Sequence, residues 1–447
     1  MSHSGLLGSK RFLPLFCTQF LGALNDNVYK NSLVIFITFS LADRAAMDAS
    51  VLVVIAGGVF ILPYFLFSAT AGQLADKYEK GMLIRRIKVA EIMVMSLAAV
   101  GFMLQDINML MVVLFLMGAQ STFFGPLKYG ILPQHLDVDE LTAGNGLVQM
   151  GTFLAILLGT IVGGLLIAIG GAGIWLVSAA VIGIAIAGWA ASRGIPEAAP
   201  FEADLKLDWN LARQTDRILR YARNDRDIFT AILANSWFWA VGATVLSLVP
   251  GLTRNVLHGS ELVATLLLFA LSLGIGAGSV LCDRLSRGHI EPGLVPLGAV
   301  GLTLFPLDLY LAGGPPAGAV QALGPVQVLT QWPHLHVLLD LVLIGFCGGI
   351  YIVPLYALIQ HRSSPEHRAR VIAANNIMNA LFVVLSAVAV TVLLRFSVGL
   401  IAIFAVLAGC NILVNAVVFT RSGEYLHATP PLLQSWLGRG GNGPSSG

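Results

Sequence analysis

The chain has 447 residues, 56% of them hydrophobic and 11% charged, with a mean hydropathy of +0.81. Ordinary soluble domains carry about 25% charged residues, so a soluble multidomain enzyme is excluded. The 26 basic and 24 acidic residues nearly cancel to a net charge of +2, which excludes the electrostatic footprint of a nucleic-acid partner.

The start, MSHSGLLGSKRF, leads into an apolar stretch too long for a signal h-region and without a small-residue cleavage site, so it is expected to stay as a first span. A membrane helix needs about 20 mostly apolar residues, and the runs that qualify predict an all-α integral membrane protein with twelve transmembrane helices. Their limits are 11–40, 50–76, 83–105, 108–134, 142–169, 173–192, 228–254, 261–283, 291–313, 335–360, 369–394 and 397–420. Residues 1–192 and 228–422 are read as two six-helix bundles, 193–227 as a charged linker, and 423–447 as a flexible tail or an added remnant.

An ionisable group at membrane depth costs at least about 2.5–3.5 kcal/mol on insertion scales, so each needs a reason. Span one carries Asn25-Asp26-Asn27-Val28-Tyr29-Lys30 half-way along. Asp26 and Lys30, four apart on one helix face, form a self-contained ion pair or the wall of a wet cavity. After span two comes Gly72-Gln-Leu-Ala-Asp76-Lys77, followed by Lys80, Arg85 and Arg86, and the basic residues between spans two and three are counted with the side that holds both termini. In span four, Phe123-Phe124-Gly125-Pro126-Leu127-Lys128-Tyr129 has a proline that breaks the helix ladder, and Lys128 either enters a cavity as a phosphate partner or snorkels to the interface. Asn145 and Gln149 in span five, and Asn375, Asn376 and Asn379 in span eleven, are ligand contacts or interhelical hydrogen bonds. Gly159-x-x-x-Gly163 and Gly274-x-x-x-Gly278 are small-residue stripes for close helix packing.

In the linker, Asp208 is the expected N-cap of a surface helix whose Trp209, Ala212, Leu219 and Ala222 face the membrane. Trp237, Phe238 and Trp239 in span seven are candidates to cover an acyl chain, and Glu91, Asp308 and Asp340 are weaker polar candidates near an interface or beside a partner. Cys17, Cys282, Cys347 and Cys410 sit in apolar runs at irregular spacings and read as small core hydrophobes, so no metal or other cofactor is expected. There is no G-x-S-x-G elbow, phosphate-binding P-loop or H-E-x-x-H, which argues against an enzyme. Nearly all Lys and Arg adjoin the side that holds both termini, and only Arg44, Arg254 and Arg395 adjoin the other, so both termini are expected in the cytoplasm.

The two halves repeat one another. Gly72 to Asp76-Lys77 after span two is matched by Ser279 to Asp283-Arg284 with Arg287 after span eight. Pro126 leads to Asn145 over 19 residues, and Pro354 leads to Asn375 over 21. Two six-helix bundles related by an axis along the membrane normal produce such repeats. With its charged middle loop and the G-x-x-x-D-[RK] motif after span two, the chain resembles the major facilitator superfamily. In that frame Gly72, Asp76, Lys77, Arg85, Asp283 and Arg284 are expected to lock one of two rocking states, or to be an ordinary positive-inside loop.

Several segments resemble a narrower group, the bacterial lysophospholipid transporter family. They are Phe20-Leu-Gly-Ala-Leu-Asn-Asp26-Asn27, Pro126-Leu-Lys128-Tyr129-Gly130-Ile-Leu, Asn145-Gly146-Leu147, Phe238-Trp239 with Gly242, and Gly348-Gly349 through Pro354 to Gln360. The resemblance runs in order to about residue 420. It implies a flippase of the bacterial cytoplasmic (inner) membrane, acting as a monomer, that moves lysophosphatidylethanolamine and related lysophospholipids from the outer to the inner leaflet for reacylation. Residue by residue it implies that Asp26 is the family's acid on the first helix and Lys128 its lysine in P-x-K-Y-G-I. Read from the residues themselves, these join Asn27, Lys30, Tyr129, Asn145, Gln149, Asn375, Asn376 and Asn379 in the expected polar site, with Lys128 on the phosphate and Asp26 on the ammonium or in a gating contact. Some relatives are fused to, or work with, acyltransferase and acyl-activating domains, so the chain is alternatively the delivery module of such an enzyme. A proton-coupled exporter of drugs or small solutes, with Asp26 as the protonation site, is the other alternative. The chain departs from the family at Leu246, where some members carry an arginine that pairs with the helix-one acid, so Asp26 is expected to pair with Lys30 or Lys128.

Overall fold

The computed structural model describes residues 3–40, 49–286, 289–313 and 323–436. Arg44, Arg287 and the end of the tail, 437–447, lie outside the described residues. In the N-terminal half the long helices are α1 (Leu13–Ser40), α2 (Ala49–Lys77), α3 (Lys80–Leu104), α4 (Ile107–Gly130), α5 (Leu141–Ile167) and α6 (Gly173–Ser192). The linker holds α7 (Leu211–Asn224). The C-terminal half contains α8 (Arg226–Asn255), α9 (Glu261–Leu285), α10 (Leu294–Leu311), α11 (Trp332–Arg362), α12 (Arg368–Arg395) and α13 (Leu400–Arg421), followed by α14 (Glu424–Trp436).

Eleven helices among the described residues are long and apolar enough to cross a membrane. The twelfth, α1, has 28 residues, about 42 Å of helix at 1.5 Å per residue, and falls outside that set because its polar Asn25 to Lys30 stretch lowers its mean hydropathy. Helices are what such a sequence must form in lipid, since each backbone N–H and C=O is then satisfied within its own segment. Pro126 does not end α4, which continues through it to Gly130.

The glycine stripes act as close-packing faces. A Cβ on Gly159 of α5 would stand 2.6 Å from the Asn27 Cβ and 2.7 Å from the Leu24 carbonyl of α1, so only glycine admits that crossing. Gly274 and Gly278 bring the backbone of α9 against Val342 and Phe346 of α11 in the same way. Without a hydrophobic drive between helices in lipid, such intimate van der Waals contact is what holds them.

Two polar segments differ from expectation. The N-cap of α7 is Asn210, whose side chain accepts from Arg213 N–H at 3.0 Å, while Asp208 stands two residues ahead and accepts from Asn210 N–H and the Gln214 amide. Its buried face is Gln214, Ile218 and Ala222, which packs against α2 and α12 rather than against lipid, and Trp209 is exposed. The tail is not wholly flexible. Its helix α14 buries Tyr425 and Leu432, packs on α10 and α13, and is tied to α11 by Glu424 with Arg362 at 2.5 Å.

The halves meet on the face that carries the linker, called here the linker face, and part toward the far face. Along α12 every residue from Arg368 to Met378 is buried, whereas none from Leu381 to Phe396 is.

Candidate functional site

A cavity of about 440 Å³ lies between the halves at mid-height, walled by α1, α2, α4 and α5 on one side and by α8, α11 and α12 on the other. Asp26, Asn27, Lys30, Lys128 and Tyr129 line it, as do Asn376 and Asn379. Phe60, Phe153, Ile156, Trp239, Leu246 and Val383 supply apolar wall. Of the three span-seven aromatics only Trp239 reaches it, stacked on Phe153 with ring centroids 6.0 Å apart. Trp237 instead donates to Asn411 Oδ1 at 2.7 Å.

Asp26 makes no ion pair within 4.0 Å with Lys30 or Lys128, contrary to the expectation drawn from Leu246. Its Oδ2 accepts from Ser121 Oγ at 2.6 Å, and its Oδ1 is buried without a hydrogen-bond partner. Lys30 Nζ lies 4.3 Å from the centroid of the Phe60 ring, and Lys128 Nζ lies 4.6 Å from that of Tyr129. A cation over an aromatic face gains about 0.5–2 kcal/mol, less than a buried ammonium loses by desolvation, so both amines retain unmet hydrogen-bonding capacity for an anionic ligand.

A second polar cluster backs this wall. Glu91 of α3, expected near an interface or beside a partner, takes the second of these places: it is buried and accepts from Lys88 Nζ at 2.6 Å, Asn25 Nδ2 at 3.0 Å and Gln120 Nε2 at 3.0 Å. Lys88, expected only among the basic residues of the adjoining loop, is fully buried, its Nζ packed against the bare Cα of Gly22. Ser121 Oγ lies 2.6 Å from Asp26 Oδ2 and 3.2 Å from Gln120 Oε1 and can donate its one proton to either, which places it between the buried pair and the cavity acid.

Below the cavity the linker face is shut in layers. Tyr129 and Tyr356, one from each half, stack with centroids 4.2 Å apart, and Gln149 donates to the Tyr129 hydroxyl at 3.2 Å. Next, Asn145 and Gln360 exchange hydrogen bonds across the halves at 2.7 and 3.0 Å. Asn375 accepts from Asn235 at 2.6 Å and Asn379 from Ser236 at 2.9 Å, so both serve at least in part as interhelical ties within the C-terminal half. Outermost, Asp76 accepts from the Ala369 backbone N–H at 3.1 Å, at the start of α12, and from Arg370 Nε at 2.9 Å. Arg370 also bonds Glu202 of the linker. Gly72 permits this contact, since a Cβ there would lie 3.0 Å from the Arg370 Cα.

The other lock candidates fall elsewhere. Lys77 donates to the Leu205 carbonyl at 2.6 Å, fastening the linker. Arg85 reaches only Glu79, at 3.4 Å, on the same helix entry. Asp283 ends α9 on the linker face, and Arg284 borders an apolar groove of about 500 Å³ between α5 and α9 whose Leu154, Phe269 and Leu273 are exposed. Sequence reasoning missed Lys88, Gln120, Ser121, Tyr356, Gln360 and Arg370. The available signal for Lys88 was its spacing of three residues from Glu91.

The family model described as Major Facilitator Superfamily matches residues 15–326. The lysophospholipid transporter LplT of Salmonella newport (strain SL254) is 30% identical over 373 residues, covering 79% of this chain and 80% of that one. That of Cronobacter sakazakii (strain ATCC BAA-894) is 28% identical over 384 residues, covering 81% and 83%. The chain belongs to the lysophospholipid transporter family of the major facilitator superfamily. Its superfamily fold is matched by a bacterial homologue of the iron transporter ferroportin in an outward-facing state, at TM-score 0.65 and 14% identity over 92% of this chain and 99% of that one. The human organic anion transporter MFSD10 matches at TM-score 0.68 and 13% identity, covering 91% and 99%. As a member of this family the chain is a multi-pass membrane transporter.

Proposed function

We propose that the chain carries lysophospholipids, lysophosphatidylethanolamine among them, from the outer to the inner leaflet of a bacterial inner membrane by alternating access. The observation that carries this reading is the charge balance of the cavity. Lys30 and Lys128 face one carboxylate, Asp26, and the Lys88–Glu91 pair behind them is neutral overall, leaving one positive charge in a site whose remaining wall is neutral polar and apolar. A phosphodiester needs such a cation, and an ethanolamine ammonium suits the free Oδ1 of Asp26. The aromatic and aliphatic wall from Phe60 to Trp239 accepts the first part of a single acyl chain.

In this reading the linker face is cytoplasmic and the far side opens to the outer leaflet. Asp76–Arg370, Asn145–Gln360 and Tyr129–Tyr356 part when the halves rock. The chain works as a monomer, and its product goes to a separate or fused acyltransferase for reacylation.

The test is inward movement of labelled lysophosphatidylethanolamine in proteoliposomes. Hydrogen bonds to charged groups are worth about 1.5–3 kcal/mol, so Lys128→Ala is expected to weaken apparent affinity roughly 10- to 100-fold. Asp26→Asn is expected to impair ethanolamine substrates more than lysophosphatidylglycerol. Unchanged affinity in Lys128→Ala overturns the phosphate assignment, and transport that follows a pH gradient while ignoring lysolipid overturns the substrate.

A further inference from the structure

At the far end of the C-terminal half, three metal-ligand groups converge that the transport reading leaves unused. Asp308 near the end of α10, and His336 and Asp340 one turn apart on α11, bring one ligand atom each within 4.8 Å of the others. His336 Nε2 is 2.8 Å from Asp308 Oδ2 and 3.8 Å from Asp340 Oδ2. Asp340 is only 2% exposed, and its Oδ2, turned toward the other two groups, is buried without a hydrogen-bond partner. That buried oxygen lies beside a second carboxylate and, among the described residues, has only His336, at 3.8 Å and charged only when protonated, as a counter-charge, a setting that favours a bound cation.

We propose that Asp308, His336 and Asp340 bind one divalent first-row transition ion of the Zn²⁺ class. An imidazole nitrogen with two carboxylate oxygens suits such an ion better than Ca²⁺ or Mg²⁺, which take all-oxygen shells. Ligand atoms about 2.0–2.2 Å from a tetrahedral zinc stand roughly 3.4 Å apart; the two histidine–carboxylate separations, 2.8 and 3.8 Å, lie either side of that value, and all three ligand atoms lie within 4.8 Å of one another. Three protein ligands leave the fourth position to water, which the exposure of Asp308 permits. The ion joins the far end of α10 to that of α11, the helix whose other half carries Tyr356 and Gln360. The ring of Trp332 stacks on His336 at 5.8 Å, which provides a local reporter.

The experiment titrates Zn²⁺ into untagged, chelator-stripped protein in lipid nanodiscs, by calorimetry and by Trp332 fluorescence isolated as the difference from Trp332→Phe. One ion per chain is expected, with affinity reduced at least tenfold in His336→Ala, Asp340→Asn and the exposed-site variant Asp308→Asn, and unchanged in His334→Ala. Mg²⁺ in place of Zn²⁺ is expected to give no signal. Absence of saturable Zn²⁺ binding in the wild-type protein overturns the proposal, and so does binding that all three ligand variants retain. Asp308→Asn, at an exposed position, keeps the comparison decisive if the buried variant misfolds.

Discussion

Asn145 and Gln360 show how much one side-chain pair can contribute at the contact between the halves. Each amide both donates to and accepts from the other in a fully buried setting, so truncating either strands a polar group at a cost of about 1–3 kcal/mol. Gln360→Ala is therefore expected to lower the stability of the state shut on the linker face by that amount, read as faster modification of a cysteine placed at Ala373. The double variant Asn145→Leu/Gln360→Leu, which removes both partners, is expected to recover much of the loss. Single residues were also where sequence reasoning divided. Asp26 and Lys128 stood out because a charge in an apolar run is costly. Lys88 did not, because a lysine two turns into a helix looks the same whether it reaches headgroups or folds back over Gly22 onto Glu91.

Among the elements, α7 departs most from its expected role. Its composition marks an amphipathic helix correctly, but the face it buries is set by the ends of α2 and α12, which only the tertiary structure supplies. Ile218→Asp places a charge in that interface and is expected to release α7, measured as new protease cleavage between residues 203 and 211. Hydrogen bonds from the Asn210 N–H and the Gln214 amide hold the Asp208 carboxyl below the usual carboxylate range. The stabilisation they give is present at neutral pH and disappears as pH falls through that depressed value. Acid-enhanced cleavage of the linker is thus expected in the wild type, and Asp208→Asn is expected to show it already at pH 7. By contrast, the twelve long helices and the glycine stripes were readable from length, hydropathy and spacing, because lipid permits only helices or closed barrels, apolar runs of about 20 residues select helices, and close crossings tolerate no Cβ.

At the scale of the molecule, the repeated motifs pointed to two halves, and the structure shows contacts between the halves at both repeats. Gly72 and Asp76 of α2 meet Arg370 and the start of α12, and Gly146 of α5 lies against the Ser279 backbone of α9. The conformational state was not readable from sequence, since it depends on which set of contacts between the halves is made at a given moment. The contacts between the halves give the closed side: Asp76–Arg370, Asn145–Gln360 and Tyr129–Tyr356 all lie on the linker face, where α12 is buried. The central claim is that a lysophospholipid crosses through this cavity only when the linker face opens. Its most direct test is outer-to-inner leaflet movement of lysophosphatidylethanolamine by an Asn145→Cys/Gln360→Cys protein with its four native cysteines replaced. Oxidation to the cross-linked form is expected to stop translocation and reduction to restore it, whereas undiminished translocation by fully cross-linked protein would contradict the account.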